Sequence, residues 1–217
     1  MPNWCMNRLE IIGTKIVMEE IISTGLSLDE IVPTPEELTA MEKTFPVPND
    51  ELKLRKSLEA RFGCSTAYDW HVAKWGTKWD IGPFKDLMLN TIDADKDIYE
   101  INLEFDSAWS PPVLAMQALY NKYKDTDLYL KLEYFEPGCA FVGVATGEKG
   151  SFDDECYEYS NADELEKYVN RNLSKSSNKI LEIIEELKEK YLKLKELYDN
   201  YDNISEDYNN KQEIKII

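Results

Sequence analysis

The sequence predicts an α+β fold in which helices cover an antiparallel sheet. Segments with apolar residues at every second position, typical of half-buried strands, alternate with segments of helical periodicity. A further observation is that 43% of the 217 residues are hydrophobic, which is enough for a substantial core. The clearest strand pattern spans residues 98–106, with Tyr99, Ile101, Leu103 and Phe105 facing inward and Glu100, Asn102, Glu104 and Asp106 facing outward.

The N-terminal part of the chain is expected to begin with a strand and a helix and to continue into a helical insert. The strand is predicted over residues 4–12, up to Gly13, and the helix over residues 14–24, up to Gly25. The insert is expected at about residues 26–75. Its helices are predicted to start at the cap Thr34 with Pro35 in the first turn, to run from Asn49 or Asp50 to Gly63, and to span Tyr68 to Trp75.

The remaining elements complete the sheet. A brief strand is predicted at residues 77–81, one or two helical turns at 84–90 and an acidic loop at 93–97. After the strand at 98–106, Ser110 is expected to cap a helix that starts at Pro111 and ends near Tyr123. The last strands are predicted at 128–136 and 140–145, joined by a turn at Pro137–Gly138, with a short edge strand within 150–160.

This order of elements is that of the split βαβ, or ferredoxin-like, plan with a helical insert. Helices would cover one face of the sheet, and the other face would be free unless the insert or the C-terminal helices cover it. An iron–sulfur or zinc site is not expected, because the four cysteines lack the spacing that such sites use; they are Cys5, Cys64, Cys139 and Cys156. No cofactor is predicted.

The composition changes at Asn161, which divides the chain into a ferredoxin-like domain at 1–160, a helical extension at 161–201 and a polar tail at 202–217. The extension carries apolar residues at alternating spacings of four and three, the pattern of a coiled-coil seam. Such a helix either packs on its own domain or forms a homodimer or partner seam. The residues expected to bind a partner are Ile184, Leu187, Tyr191, Leu194 and Tyr198.

Net charge and hydropathy restrict the function classes. The net charge of −17 argues against a basic surface for duplex DNA, and it indicates either solubility alone or an acidic surface that meets a basic partner. The chain shows no signal-peptide pattern and no apolar run of about 20 residues, so a cytoplasmic protein without a membrane span is expected.

Catalytic patterns are weak, and the sequence favours a protein that is not an enzyme. His71 is the single histidine, and nothing near it in the sequence completes a nucleophile and base pair. The alternating acids Asp93, Asp95 and Asp97 lack the glycine and the closing glutamate of a calcium loop, so an ordinary acidic loop is expected.

Three of the five tryptophans lie between Trp70 and Asp80. Indole rings together with lysine and amide groups suit a planar ligand such as a nucleotide, and the helix after Pro111 could receive its phosphate. Alternatively, the indoles fill a small core between the sheet and the insert. The candidate ligand-binding residues are Asn7, Trp75, Lys78, Trp79, Trp109, Ser110 and Glu136.

Several fragments occur together in the first 150 residues: Pro-Asn-Trp-Cys-Met-Asn at 2–7, Ile-Val-Pro-Thr-Pro-Glu-Glu-Leu at 31–38, Trp-Gly-Thr-Lys-Trp-Asp at 75–80, Ser-Ala-Trp-Ser-Pro-Pro at 107–112, and the run from Tyr134 to Gly143. In this order they resemble the YubB-type (Api-like) ferredoxin-like family carried by phages and plasmids. The resemblance implies a ferredoxin-like domain encoded on a mobile element, and it supplies no reaction.

These observations lead to two functional hypotheses. The first is a non-enzymatic accessory protein in the cytoplasm of a bacterial host, which binds and inhibits a host component through an acidic surface. A basic nucleic-acid-binding protein of antiviral defence is the expected kind of partner. The second is a small-ligand binder that sequesters a nucleotide signal in a tryptophan-lined pocket.

Overall fold

The computed structural model describes residues 3–41, 49, 51–173, 181–189 and 192–193. The chain divides into two compact units, Met1–Glu158 and Tyr159–Ile217. The first unit contains one antiparallel sheet of six strands, which are β1 (Trp4–Gly13), β2 (Asn90–Asp93), β3 (Ile98–Ala108), β4 (Tyr129–Glu136), β5 (Phe141–Glu148) and β6 (Ser151–Glu158).

The strand order is β2-β3-β1-β4-β5-β6. Its first four strands reproduce the order of the split βαβ plan, and the β5–β6 hairpin extends the sheet beyond β4. The predicted α+β, ferredoxin-like fold class is therefore confirmed. The helices of this unit are α1 (Lys15–Ser23), α2 (Leu28–Ile31), α3 (Glu36–Thr39), α4 (Leu52–Phe62), α5 (Ala67–Lys74) and α6 (Val113–Tyr123).

The two crossover helices α1 and α6 share one core with the sheet. Leu9 and Ile11 of β1 are fully buried, as are Met18 and Ile21 of α1 and Met116 of α6. Burial of one such side chain contributes about 1.5–3 kcal/mol, so the alternating apolar positions of β1 fix the face that the helices cover. A smaller cluster around Leu38, Leu58 and Cys64 forms the core of the insert.

Two predicted elements are wrong, and both lie where the insert rejoins the sheet. Residues 77–81 form no strand and residues 84–90 form no helical turn; the edge strand is β2 instead. Side-chain hydrogen bonds replace strand pairing in this segment. The Thr77 hydroxyl donates to the Ala108 carbonyl at 3.0 Å, and the Asp80 carboxylate accepts from three backbone amides, those of Leu28, Asp29 and Gly82.

Three predicted helix caps are also wrong. Helix α3 follows Pro35, α4 follows Glu51 and α6 follows Pro112, so neither Thr34, nor Asn49, nor Ser110 is a cap; Asp50 lies outside the described residues. The hydroxyls of Thr34 and Ser110 have tertiary partners instead, His71 Nε2 and the Gly76 carbonyl. The unpredicted helix α2 has a tertiary cap, because Asp80 accepts from its first amides.

The second unit begins with helix α7 (Ala162–Asn172). Its predicted capping signal is confirmed: Asn161 Oδ1 accepts the Glu164 amide at 3.0 Å, and Glu164 Oε2 accepts the Ser160 amide at 2.9 Å. Residues 181–189 are also helical, and Lys188 Nζ lies 2.9 Å from Glu166 Oε2 of α7.

The predicted seam of this second unit is described only in part. Ile184 is 1% exposed and Leu187 is half-buried, whereas Tyr191, Leu194 and Tyr198 lie outside the described residues. A dimer or partner seam here stays a prediction.

Strand β5 contains two glycines that accommodate tyrosine rings. A Cβ at Gly143 would lie 2.3 Å from the ring of Tyr134, and a Cβ at Gly147 would lie 2.5 Å from the ring of Tyr120. The Tyr134 hydroxyl donates to Asp154 Oδ1 of β6 at 2.8 Å. The Tyr134 ring of β4 and the Tyr120 ring of α6 can therefore pack against β5 only because this strand lacks side chains at these two positions.

We expect Gly143→Ala to lower the free energy of unfolding by about 1–3 kcal/mol, because the added methyl group would clash with the Tyr134 ring and with the Glu155 carbonyl oxygen of β6. Urea denaturation measures this. Gly13→Ala is the matched control, since its Cβ would meet mainly the movable end of Leu128 at 3.1 Å. Equal losses in both variants would contradict the packing role of Gly143.

Candidate functional site

Three chain segments meet at the end of the sheet where β1 begins and β3 ends. Trp4 pairs with Ala108 across the two strands, and the Trp109 amide donates to the Asn3 carbonyl at 2.9 Å. The third segment, residues 76–80, is joined to β3 by the Thr77 hydroxyl. The hydroxyl of Ser110 also donates to the Gly76 carbonyl, at 2.5 Å. The tertiary structure thus brings together the aromatic motifs that the sequence analysis identified.

The indoles at this end of the sheet are exposed to solvent. Trp4 is 49% exposed, and Trp79 and Trp109 are each 44% exposed. The rings of Trp4 and Trp79 lie 6.0 Å apart with an interplanar angle of 56°. The Lys78 ammonium lies 4.8 Å from the centroid of the Trp79 ring. We name Trp4, Lys78, Trp79 and Trp109 the tryptophan surface.

Three other predicted ligand-binding residues are buried and hydrogen-bonded inside the protein. Asn7 is 4% exposed, and its side-chain amide donates to the Cys5 carbonyl and to Ser107 Oγ, both at 2.8 Å. The indole N–H of Trp75 donates to a backbone carbonyl of the insert at 2.8 Å. Glu136 is 1% exposed and accepts two amides of the turn that follows it.

Of the predicted ligand set, only Lys78, Trp79, Trp109 and Ser110 are exposed or half-exposed, so the structure does not bring all seven residues to one accessible surface. Burial together with the charge of Glu136 raises the pKa of the Cys5 thiol far above its ordinary value. The prediction of a ligand site at these residues stays a prediction.

His71 is part of the scaffold behind the tryptophan surface. Its ring stacks on Trp75 at 3.8 Å and 7°, Nε2 lies 3.1 Å from Thr34 Oγ1, and Nδ1 lies 3.2 Å from the Lys78 carbonyl. Burial lowers the pKa of His71, although the hydrogen bond to Lys78 and the nearby acids oppose this. A neutral ring with the proton on Nδ1 satisfies both contacts, since it donates to the carbonyl and accepts from the hydroxyl.

Asp80 ties the same segment to the start of the insert. Its carboxylate accepts from the Ser27 hydroxyl at 2.7 Å and from the Leu28 amide at 2.8 Å, among four hydrogen bonds. Burial would raise the pKa of Asp80, but these hydrogen bonds together outweigh it and lower the pKa. The carboxylate is therefore charged at neutral pH and holds the backbone next to Trp79.

A row of carboxylates begins beside the tryptophan surface. In a strand, alternate side chains share a face, so Asp106, Glu104 and Glu100 of β3 lie on the face that also carries Trp4. Asp106 and Glu104 are exposed, and Glu100 is half-buried. We name these three residues the carboxylate row.

The neighbouring strands add charges of both signs to this face. Burial and the adjacent Glu100 raise the pKa of Glu10 on β1, whereas Lys131 and Arg8 lower it. Arg8 lies opposite Glu104, and Lys131 pairs with Glu133 at 2.6 Å. At the end of the row next to Trp4, Asp106 therefore lies opposite the uncharged Met6, whereas Glu104 lies opposite a cation.

The outward position of the acids of β3 was predicted from the sequence, but their position on one surface with Trp4 was not. The sequence feature that could have revealed this surface is the alternation of inward and outward side chains along β1 and β3. Trp4 and the acids of β3 occupy outward positions, and the pairing of Trp4 with Ala108 makes these positions neighbours. The register that joins them is a tertiary property.

Other kinds of site find no support among the residues that the structure describes. No group of three or more His, Cys, Asp or Glu side chains in these ranges is placed to hold a metal ion. All four cysteines are free, and the pKa of each thiol is raised, for Cys139 by its hydrogen bond to Glu136 and for Cys64 and Cys156 mainly by burial. Raised pKa values of the thiols disfavour the reactive thiolate form. Within the same ranges, no helix is long and apolar enough to cross a bilayer.

The strand order and the crossover helices define a ferredoxin-like α+β protein. Residues 87–172 match the family model described as the ferredoxin-like domain in Api92-like protein, which is less than half of the chain. The chain is also similar to the crystal structure of protein Api92 from Yersinia pseudotuberculosis, with 13% sequence identity and a TM-score of 0.39, over 74% of this chain and 99% of that chain. No curated protein matches the chain.

The scaffold behind the tryptophan surface makes stability depend on pH. Because the pKa of His71 is lower in the folded than in the unfolded protein, the unfolded chain binds the proton more readily. We expect stability to be lost as the pH falls through the ordinary value of about 6.5, and the loss to level off below the folded pKa.

Urea denaturation between pH 7.5 and 5.5 measures this loss, with His71→Gln as the variant that removes the titration. The wild type should lose more free energy of unfolding over this interval than the variant. Equal losses would show that His71 titrates alike in both states.

Proposed function

We propose that this protein is a non-enzymatic binding protein that attaches to a basic partner through the carboxylate row of its sheet. The observation that carries the proposal is the exposure of Glu104 and Asp106 on one face of β3, in a chain whose net charge is −17. Positions two residues apart in a strand are separated by about 6.8 Å, which is the spacing of Asp106 and Glu104, whereas Glu100 lies farther along the same face, beyond Asn102.

The negative charge of the carboxylate row favours the binding of a basic partner. Burial raises the pKa of Glu10, and the hydrogen bond and charge of the adjacent Glu100 raise it further, so two carboxylates lie close together on this face. A basic partner relieves such crowding, and the field of an acidic protein speeds the encounter at low ionic strength. The same charge disfavours duplex DNA as a partner of this face.

The kind of partner follows from the resemblance to proteins carried by phages and plasmids. We propose a host protein in the bacterial cytoplasm, of the class that binds nucleic acid for antiviral defence. The basic groove of such a protein is complementary in charge to the carboxylate row, so occupation of that groove would inhibit it. The similarity of residues 87–172 to the domain of Api92-like proteins concerns the fold and is neutral on this point.

The alternative of a nucleotide-binding pocket is less well supported by the geometry. Asn7, Trp75 and Glu136 direct their polar groups to internal partners, and the exposed indoles lie beside carboxylates that repel phosphate. Titration with ATP tests for such a pocket, because a nucleotide bound at the indoles would quench the tryptophan fluorescence.

We expect Glu104→Gln/Asp106→Asn to weaken binding of a fluorescein-labelled peptide of nine arginines about fivefold at low salt. Two exposed ion pairs contribute about 0.5 kcal/mol each. Fluorescence anisotropy at 50 and 200 mM salt measures the affinity, which should fall with salt for the wild type.

Asp125→Asn/Asp127→Asn is the matched control, because it removes the same charge from the exposed turn before β4. The control should bind nearly as well as the wild type. Equal weakening of both variants would mean that net charge alone attracts the peptide, and the proposed function of the row would be wrong.

A further inference from the structure

We propose that the tryptophan surface is an arginine-binding anchor, so that an extended, arginine-rich segment of the partner lies along the carboxylate row with a guanidinium stacked on the indoles. This inference rests on the proposed function and specifies the chemistry of the partner.

The exposure of the indoles supports this role. Tryptophan is a large, mostly apolar side chain, and Trp4, Trp79 and Trp109 each keep nearly half of their surface in water. Trp4 and Trp79 are in ring contact, so they form a patch and are not isolated. Exposed aromatic patches mark binding surfaces, and tryptophan is enriched among the residues that dominate binding energy.

The backbone of Trp109 adopts a conformation that is unfavourable for tryptophan. Its φ is +72°, in the left-handed region that glycine adopts freely and a bulky residue does not. The amide of this residue still donates to Asn3, a bond that glycine would keep. A tryptophan that is both strained and exposed is not explained by the stability of the fold, which points to a role for its side chain in binding.

The occupant expected at the tryptophan surface is an arginine side chain. The Lys78 ammonium already lies over the Trp79 ring at 4.8 Å, so this surface receives a cation within the protein itself. Asp106 lies two positions along β3 from Ala108, the partner of Trp4, which places its carboxylate about 7 Å farther along the same face. A guanidinium can stack on an indole and pair with a carboxylate, which an ammonium does less well.

The experiment uses the full chain and two labelled peptides, of nine arginines and of nine lysines, under equal salt. We expect the wild type to bind the arginine peptide about fivefold more tightly. Trp79→Ala and Trp4→Ala should remove this preference and leave the affinity for the lysine peptide nearly unchanged. Ile16→Ala, which truncates an exposed side chain of α1, is the control and should keep the preference.

The variant Trp109→Gly separates binding from folding. We expect its melting temperature to be equal to or about 2–4 °C above that of the wild type, because the strain is relieved, and the preference for arginine to fall. A lower melting temperature with an unchanged preference would show that Trp109 serves the fold.

The outcomes distinguish this inference from the proposed function. Suppose that both peptides bind equally well and that the tryptophan variants do not change either affinity, while the carboxylate variant still weakens binding. The arginine-binding anchor is then wrong, and the proposed function of the carboxylate row is retained. If the carboxylate variant binds like the wild type, the proposed function itself fails. Quenching of the tryptophan fluorescence by ATP that is lost in Trp79→Ala would also overturn the anchor, in favour of a nucleotide site.

Discussion

The pairing of β1 with both β3 and β4 is the constraint on which the rest of the structure depends. Leu9 and Ile11 of β1 are completely buried, so a shift of one residue would move them to the opposite face and expose them. The register is therefore fixed by the core. Because the register is fixed, Trp4 lies opposite Ala108 on the outward face, next to the acids of β3. The geometry of the candidate surface thus follows from the packing on the other side of the same strand.

A second set of contacts presents the indoles to solvent. The segment that carries Trp79 has no strand partner, and its place is set by the side chains of His71, Thr77 and Asp80, which bond to backbone groups of three different segments. Each bond alone is worth about 1 kcal/mol, and together they hold the segment against the sheet. The inward indole of Trp75 packs in the core, and the outward indole of Trp79 meets Trp4.

Charge and aromatic character are combined on one face of this protein. Helices α1 and α6 cover the opposite face, which leaves the outward side of β1 and β3 with Trp4 at one end and acidic side chains along its length. Carboxylates attract basic partners at a distance, and indoles discriminate among cations on contact. A surface with both properties suits a partner rich in arginine better than it suits a nucleotide, whose phosphates the acids repel.

The sequence by itself determined the fold class, because the period-two patterns of β1, β3 and β4 and the capping signal of Asn161 are local properties of the chain. It also located the aromatic motifs, but it did not separate the buried Trp75 from the exposed Trp79. Only the tertiary structure decided that, since the difference depends on hydrogen bonds to residues more than 25 positions away, such as Thr77 to Ala108. Hydrogen bonds between residues remote in the sequence also replace the predicted strand at 77–81. They replace the predicted caps at Thr34 and Ser110 as well, because these hydroxyls bond to remote partners.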